Sequence, residues 1–291
     1  MPAAPQVITR RSVLIAAGLI FIGSAGIQTS SAVSAGLFDS YGPFGTSALR
    51  MMIAALILLA MVRPRLRGRS RSEWLGIAVY GVAMALMNLC LYSAIERLPL
   101  GVAVTLDFLG PCAVALAASR RWREGLCAVA SLLGVALISV GPWGYFDLVG
   151  YAAGLGAAFF FGLYTVFASR VGKAGNGLDG LALSVAVAGL FTLPLGVPHA
   201  ASVSASEWGL LALSAVIGVV IPYSVDTLAG RLTSAPVIGT LFAIDPAMGS
   251  LVGWLMLGQT MSAVALCGVF VVMLSGALLV WLSEKESPGA A

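Results

Sequence analysis

The sequence predicts an all-α membrane protein with ten transmembrane helices in two inverted five-helix repeats. The 291 residues have a mean hydropathy of +1.00 and are 59% hydrophobic, against roughly 45–50% in soluble domains. Only 10% of the residues are charged, whereas roughly 25% is usual. This number of charges is too small to cover the surface of a soluble protein of this length. This composition excludes an ordinary soluble enzyme, a nucleic-acid-binding domain and a disordered chain.

Charge-poor runs of the length needed to cross a bilayer mark ten spans. They comprise residues 13–37, 44–62, 74–95, 99–119, 125–141, 148–169, 178–198, 208–230, 234–257 and 261–282. Backbone groups in lipid must be paired within the segment, so we expect helices. No run alternates polar and apolar residues as barrel strands do. Arg10-Arg11 also resembles a twin-arginine export signal, but nine further apolar runs follow, so we interpret the first run as a span.

Basic residues lie in the loops on one side of the predicted helices. Of the 16 Lys and Arg residues, 14 occupy alternate segments: Arg10, Arg11, Arg63, Arg65, Arg67, Arg69, Arg71, Arg120, Arg121, Arg123, Arg170, Lys173, Arg231 and Lys285. Arg97 lies in an opposite loop and Arg50 lies within a span. Cytoplasmic loops carry the excess of Lys and Arg, so we predict that both termini are cytoplasmic.

The two halves of the chain resemble each other weakly but in order. Pro111 aligns with Pro246 at a spacing of 135, and Gly134 then falls near Gly268. We therefore predict one five-helix repeat over residues 1–147 and a second over 148–291. Five is an odd number, so the halves must be inverted relative to each other, an arrangement typical of secondary transporters that bind substrate between the halves.

Four charged residues fall inside predicted spans: Arg50, Asp107, Asp226 and Asp245. A charge at mid-membrane is costly and usually faces a cavity or a partner. Prolines accompany all three acids, which indicates locally broken helices lining a wet cavity. We expect these residues to act in proton coupling or charge pairing. The alternative is a structural ion pair, with Arg50 as the partner of an acid.

Other polar and aromatic residues share the faces of these spans. The candidates for a substrate cavity, together with Asp107 and Asp245, are Gln28, Asn88, Tyr92, Phe161, Tyr164 and Tyr223. Each of them taken singly is more typical of hydrogen bonds between helices. Their convergence beside buried acids favours a binding site.

The sequence contains no enzyme motif. It has one histidine and lacks GxSxG, HExxH and P-loop patterns, and its four cysteines fit no metal spacing. We therefore predict no enzyme activity, no cofactor and no metal. Without an ATP-binding module, concentrative transport must use an ion gradient.

Several stretches resemble the drug/metabolite transporter superfamily, in its ten-helix EamA-type branch, and most of all the bacterial threonine and homoserine exporters. They are Ala48-Leu49-Arg50, Tyr80-Gly81-Val82, Met87-Asn88, residues 99–104, Asp107-Phe108-Leu109-Gly110-Pro111, Ser119-Arg120-Arg121, Pro222-Tyr223-Ser224-Val225-Asp226, Gly239-Thr240-Leu241 and Asp245-Pro246-Ala247. The resemblance covers residues 13 to 282.

The resemblance implies an inner-membrane exporter of small amino acids or related metabolites, coupled to proton entry. The implied partners are a small-molecule substrate, the lipid bilayer and protons. We expect no nucleic-acid partner. We expect the protein to be a monomer or a weak dimer. The chain departs from the pattern of these exporters at five positions. It has Asp107, Asp226 and Asp245 where they tend to have Glu. It also has Gln259 where the superfamily has Glu, and Phe161 where many members have Trp. The alternatives are a passive facilitator or a broader drug exporter of the same fold.

Overall fold

The computed structural model describes residues 10–118, 122–139, 147–173, 178–232 and 242–284, whose regular elements are all helices. They are α1 Arg10–Ala35, α2 Phe38–Val62, α3 Arg71–Arg97, α4 Leu100–Ala118, α5 Trp122–Ser139, α6 Leu148–Lys173, α7 Leu178–Ala200, α8 Ala205–Ala215, α9 Ile221–Leu232, α10 Asp245–Leu257 and α11 Ala263–Glu284. A π-helical turn, Val216–Val220, joins α8 to α9, and these three segments form the predicted eighth span. Ser119-Arg120-Arg121 and Gly239-Thr240-Leu241, with the start of the ninth span, lie outside the described residues.

Six segments of the described chain are long and apolar enough to cross a membrane. They are Leu14–Ala35, Phe38–Val62, Arg71–Arg97, Leu148–Ala168, Leu178–Ala200 and Ala205–Asp226, and two shorter apolar helices cover Leu100–Val114 and Ala263–Leu278. Large apolar side chains such as Phe159, Leu190 and Leu274 are exposed on these helices. Such a surface suits contact with lipid tails.

Two helices begin with the same capping box, which the sequence repeats at a spacing of 134. The Ser70 hydroxyl accepts a hydrogen bond from the Glu73 N–H, and the Glu73 carboxylate accepts one from the Ser70 N–H. Ser204 and Glu207 form the same pair at the start of α8. This S-x-S-E-W pattern marks equivalent helices of the two halves.

The helix contacts follow the repeat. Helix α6 of the second half packs on α3 and α4 of the first half, and α1 of the first half packs on α9 and α10 of the second. The equivalent helices α2 and α7, α4 and α10, and α5 and α11 pack on each other. Gly134 of α5 lies against the backbone of Gly268 of α11, the pair aligned by the repeat. The chain is thus built from two five-helix halves that are inverted and packed about a shared interface.

Small residues bring the helices close together where they cross. Along α6, Gly150 faces Leu98, Gly154 faces Leu106, and Gly162 faces the Gly110 carbonyl of α4. Side chains at these positions would separate the helices, which explains the Gly-rich ridge of the sixth span.

The structure departs from the sequence expectation in three helices. Helix α4 continues without a break through Pro111. Helix α2 begins at Phe38 rather than at residue 44. It is interrupted at Gly42, whose φ of 65° is a left-handed backbone conformation that glycine adopts without steric strain. Asp245 was expected twelve residues into the ninth span, but it is the first residue of α10. Pro246, which follows it, has no N–H to donate and therefore suits the first helical turn.

Replacing Gly110 with alanine tests the close contact between α4 and α6. A Cβ at position 110 would lie 2.9 Å from the Gly162 nitrogen and would touch the Ala158 carbonyl. We expect Gly110→Ala to lower the free energy of unfolding by about 1–3 kcal/mol, measured by thermal unfolding in detergent. Gly209→Ala is the control, because a Cβ there meets nothing within 4 Å, and an equal loss in both variants would contradict the packing explanation.

Candidate substrate-binding site

One cavity at the centre of the helices is lined by all ten residues that the sequence singled out: Gln28, Arg50, Asn88, Tyr92, Asp107, Phe161, Tyr164, Tyr223, Asp226 and Asp245. Its volume is about 60 Å³, which is room for only a few water molecules. The other lining residues are mainly apolar: Ile27, Ser31, Met87, Leu91, Val104, Phe108, Gly218 and Phe242. Both halves of the chain contribute to the wall.

Arg50 of α2 is a buried cation at this cavity, 2% exposed. Its Nη1 donates to the Ser30 hydroxyl at 3.0 Å and its Nη2 donates to the Asn88 side-chain oxygen. The guanidinium carbon lies 4.6 Å from the centroid of the Tyr92 ring, a cation–π contact. These neutral groups on α1 and α3 hold the guanidinium in place.

The alternative raised by the sequence, a structural ion pair between Arg50 and an acid, is not formed among the described residues. The ion pairs within the described ranges are Arg69–Asp179 and Arg97–Asp147, neither of which lines the cavity. Three neutral groups already bind Arg50, so it does not need an acid to fix its position.

A chain of hydroxyl groups extends from Arg50 toward Tyr92. Ser30 and Ser34 each lie 2.7 Å, oxygen to oxygen, from the Ser214 hydroxyl, and Tyr92 donates to Ser34 at 2.9 Å. Ser30 also reaches the Ser214 backbone carbonyl at 2.8 Å. The π-helical turn begins two residues after Ser214, and such turns interrupt regular helix hydrogen bonding. The eighth span is thereby tied to α1 and α3.

The three acids approach the cavity from α4, α9 and α10. Asp107 and Asp245 are buried, and each has one carboxylate oxygen that finds no hydrogen-bond partner among the described residues. Asp107 and Asp245 line the same cavity. Asp226 faces α1 at Gly23 and is only partly buried. The cavity therefore combines one unpaired cation with buried carboxylates that also lack a counter-ion.

Tyrosines and a phenylalanine form one wall of the cavity. The ring centroids of Tyr164 lie 5.6 Å from Phe161 and 6.0 Å from Tyr223. The Asn88 amide donates to the Tyr223 hydroxyl at 3.4 Å. Behind them Tyr80 packs on Tyr164 at 4.9 Å. Aromatic contacts of this kind fix the shape of the wall.

Sequence reasoning did not identify Ser214 as a residue of this region. The sequence carried no signal for it, because its contacts with Ser30 and Ser34 come only from the crossing of the eighth span with α1.

The comparisons with known proteins agree with this architecture. The model of the EamA-like transporter family matches residues 12–142 and again residues 148–281. The chain belongs to the EamA-like transporter family. It is a multi-pass membrane transporter and not an enzyme, as the sequence predicted.

Two relatives of the chain are named for the amino acids that they export. The chain is 30% identical over 274 residues to the threonine/homoserine exporter RhtA of Escherichia coli strain K12, covering 92% of each chain. It is 30% identical over 270 residues to the threonine/homoserine exporter RhtA of Salmonella typhimurium strain LT2, covering 90% of this chain and 91% of the relative. A crystal structure of another protein matches with a TM-score of 0.63 at 19% identity, over 95% of this chain and 99% of that one. That likeness supports the fold.

Two buried serines test the hydroxyl chain. Ser214→Ala removes a hydroxyl within 2.7 Å of both Ser30 and Ser34, and we expect a loss of about 1–3 kcal/mol in unfolding free energy. Ser184→Ala is the matched control, since this hydroxyl is equally buried but has no partner. We expect the control to be neutral or slightly stabilising. Thermal unfolding of both variants in the same detergent compares them, and equal losses would contradict a structural role for the chain.

Proposed function

We propose that this EamA-like transporter exports small amino acids of the threonine and homoserine type from the cytoplasm across a bacterial inner membrane. The observation that carries the proposal is that Asp107, Asp245 and Arg50 line one cavity between the two halves. The RhtA relatives, similar over about nine-tenths of the chain, support the substrate class. The distribution of basic residues supports cytoplasmic N- and C-termini.

Asp107 and Asp245 bind the ammonium group of the substrate or a proton. A buried carboxylate is costly unless a proton or a cation neutralises it, and each of these acids has a buried oxygen without a partner. Two neighbouring acids allow a proton and an ammonium group to compete for one site, which couples outward substrate movement to inward proton movement. Asp226, in the middle of α9, lines the same cavity.

The walls set the size of the substrate. Gln28, Asn88 and Tyr92 offer polar contacts, while Phe161, Tyr164 and Tyr223 limit the width. A cavity of about 60 Å³ favours a small solute over a bulky drug, and opening of the halves would admit it. Residues 1–147 and 148–291 act as the two repeats in this movement.

Neutralising the acids tests proton coupling. We expect Asp107→Asn and Asp245→Asn each to reduce pH-driven threonine transport in proteoliposomes at least about tenfold. Each variant loses a carboxylate that can bind a proton, and such a loss costs of the order of 1.4 kcal/mol or more. Asp147→Asn is the control, because Asp147 lies in a loop, paired with Arg97. If both variants kept full pH-dependent transport, the coupling role would be wrong. Transport that equilibrates threonine across the membrane without accumulating it, and that ignores the pH gradient, would instead indicate a passive facilitator.

Expression in a sensitive bacterium tests the substrate class. We expect overproduction to raise tolerance to threonine, homoserine and their toxic analogues, and to increase the amount of these amino acids in the medium. An Asp107→Asn/Asp245→Asn double variant, matched for membrane abundance, is the control. Tolerance limited to bulky aromatic compounds or cationic dyes would overturn the amino-acid proposal and support a broader drug exporter.

A further inference from the structure

Arg50 has unused hydrogen-bonding capacity. A guanidinium group has five N–H donors, and the described structure gives partners to one donor on Nη1 and one on Nη2. The Nε atom is buried and has no partner. A side chain serving only to join helices would be expected to use these donors within the protein, because unpaired buried donors are costly.

Arg50 also lacks a counter-ion, although three acids line the same cavity. None of them lies within 4.0 Å of the guanidinium in the part of the chain that the structure describes. An isolated buried charge is strongly unfavourable in a low-dielectric interior. The cavity thus holds a positive site and a negative site that do not neutralise each other.

We propose that Arg50 binds the α-carboxylate of the transported molecule and makes the transporter selective for zwitterionic amino acids. The inference rests on the proposed export of amino acids, and it adds a residue that recognises the carboxylate of the substrate. The substrate ammonium meets Asp107 and Asp245 while its carboxylate meets Arg50, so one zwitterion supplies both missing counter-charges. An amine or an amide would satisfy the acids alone and leave Arg50 unpaired.

The surroundings of Arg50 suit this role. Asn88 and Ser30 hold the two terminal nitrogens, and the Tyr92 ring lies against the guanidinium. All three partners are neutral, so the full positive charge remains for the ligand. Arginine can offer two parallel N–H groups to a carboxylate, a geometry that lysine cannot reproduce. Asn88, Ser30 and Tyr92 are therefore positioning residues for Arg50.

A pair of ligands that differ only in the carboxylate tests the inference. L-Threonine and L-threoninamide share the ammonium group and the hydroxyl, and at about pH 6 both α-amino groups are largely protonated. In proteoliposomes, unlabelled threoninamide and unlabelled threonine each compete with labelled threonine for transport. We expect threoninamide to compete about 10-fold to 100-fold more weakly, because it lacks the carboxylate and so loses one hydrogen bond between charged groups. This arm uses the unaltered protein and needs no variant to fold.

Variants of Arg50 give the second arm. We expect Arg50→Gln to reduce the preference for threonine over threoninamide toward one, and Arg50→Lys to retain part of it. Arg97→Gln is the control, since Arg97 lies outside the cavity in an exposed pair with Asp147. Thermal unfolding identifies variants that fail to fold, and selectivity is measured only on those that do. A merely structural role for Arg50 would lower transport of both ligands and leave their ratio unchanged.

The outcomes separate the two proposals. If the unaltered protein transports neither threonine nor any other amino acid, the proposed function fails. If it transports threonine but threoninamide competes equally well, amino-acid export stands and the role of Arg50 is overturned. Full discrimination in a folded Arg50→Gln variant would overturn that role as well. Weak competition by the amide together with lost discrimination in the variant supports it.

Discussion

The organisation of the centre of this transporter depends on how it holds one positive charge inside the membrane. Burying an ion is costly unless polar groups surround it. Arg50 on α2 is held by Ser30 from α1 and by Asn88 from α3, above the Tyr92 ring. Ser214 extends the network to the eighth span. Four spans are thereby aligned at the cavity through a residue that uses no acid as its partner.

The helices can reach this arrangement because small residues let their backbones approach. Gly26 of α1 lies against the Ile217 carbonyl, and Gly218 of the π-helical turn lies against the Ser30 side chain near Arg50. Larger side chains at these crossings would hold α1 away from the eighth span and break the Ser30–Ser214 hydrogen bonds. Close packing and polar contact therefore depend on each other, as is common in membranes where interfaces use small residues and hydrogen bonds together.

Much of the fold was predictable because the lipid environment constrains which residues can lie in a membrane-spanning segment. Backbone pairing in lipid requires helices, and runs of about 20 apolar residues specify where they lie. The cost of intramembrane charge drew attention to Arg50, Asp107, Asp226 and Asp245, which line one cavity. The start of α10 at Asp245 and the unbroken α4 at Pro111 were not predictable, because neighbouring helices decide whether a proline ends a helix or is accommodated within it.

The sequence alone determined the class of fold, the family and the short set of charged and polar residues around the cavity, since each follows from local composition, spacing or similarity. Only the tertiary structure decided which of those residues meet. It placed Arg50 with Ser30, Asn88 and Tyr92 rather than with an acid, and it drew Ser214 into the same network. The physical reason is that partners of a buried charge are chosen by helix crossings between residues distant in the chain, and helical periodicity carries no information about those crossings.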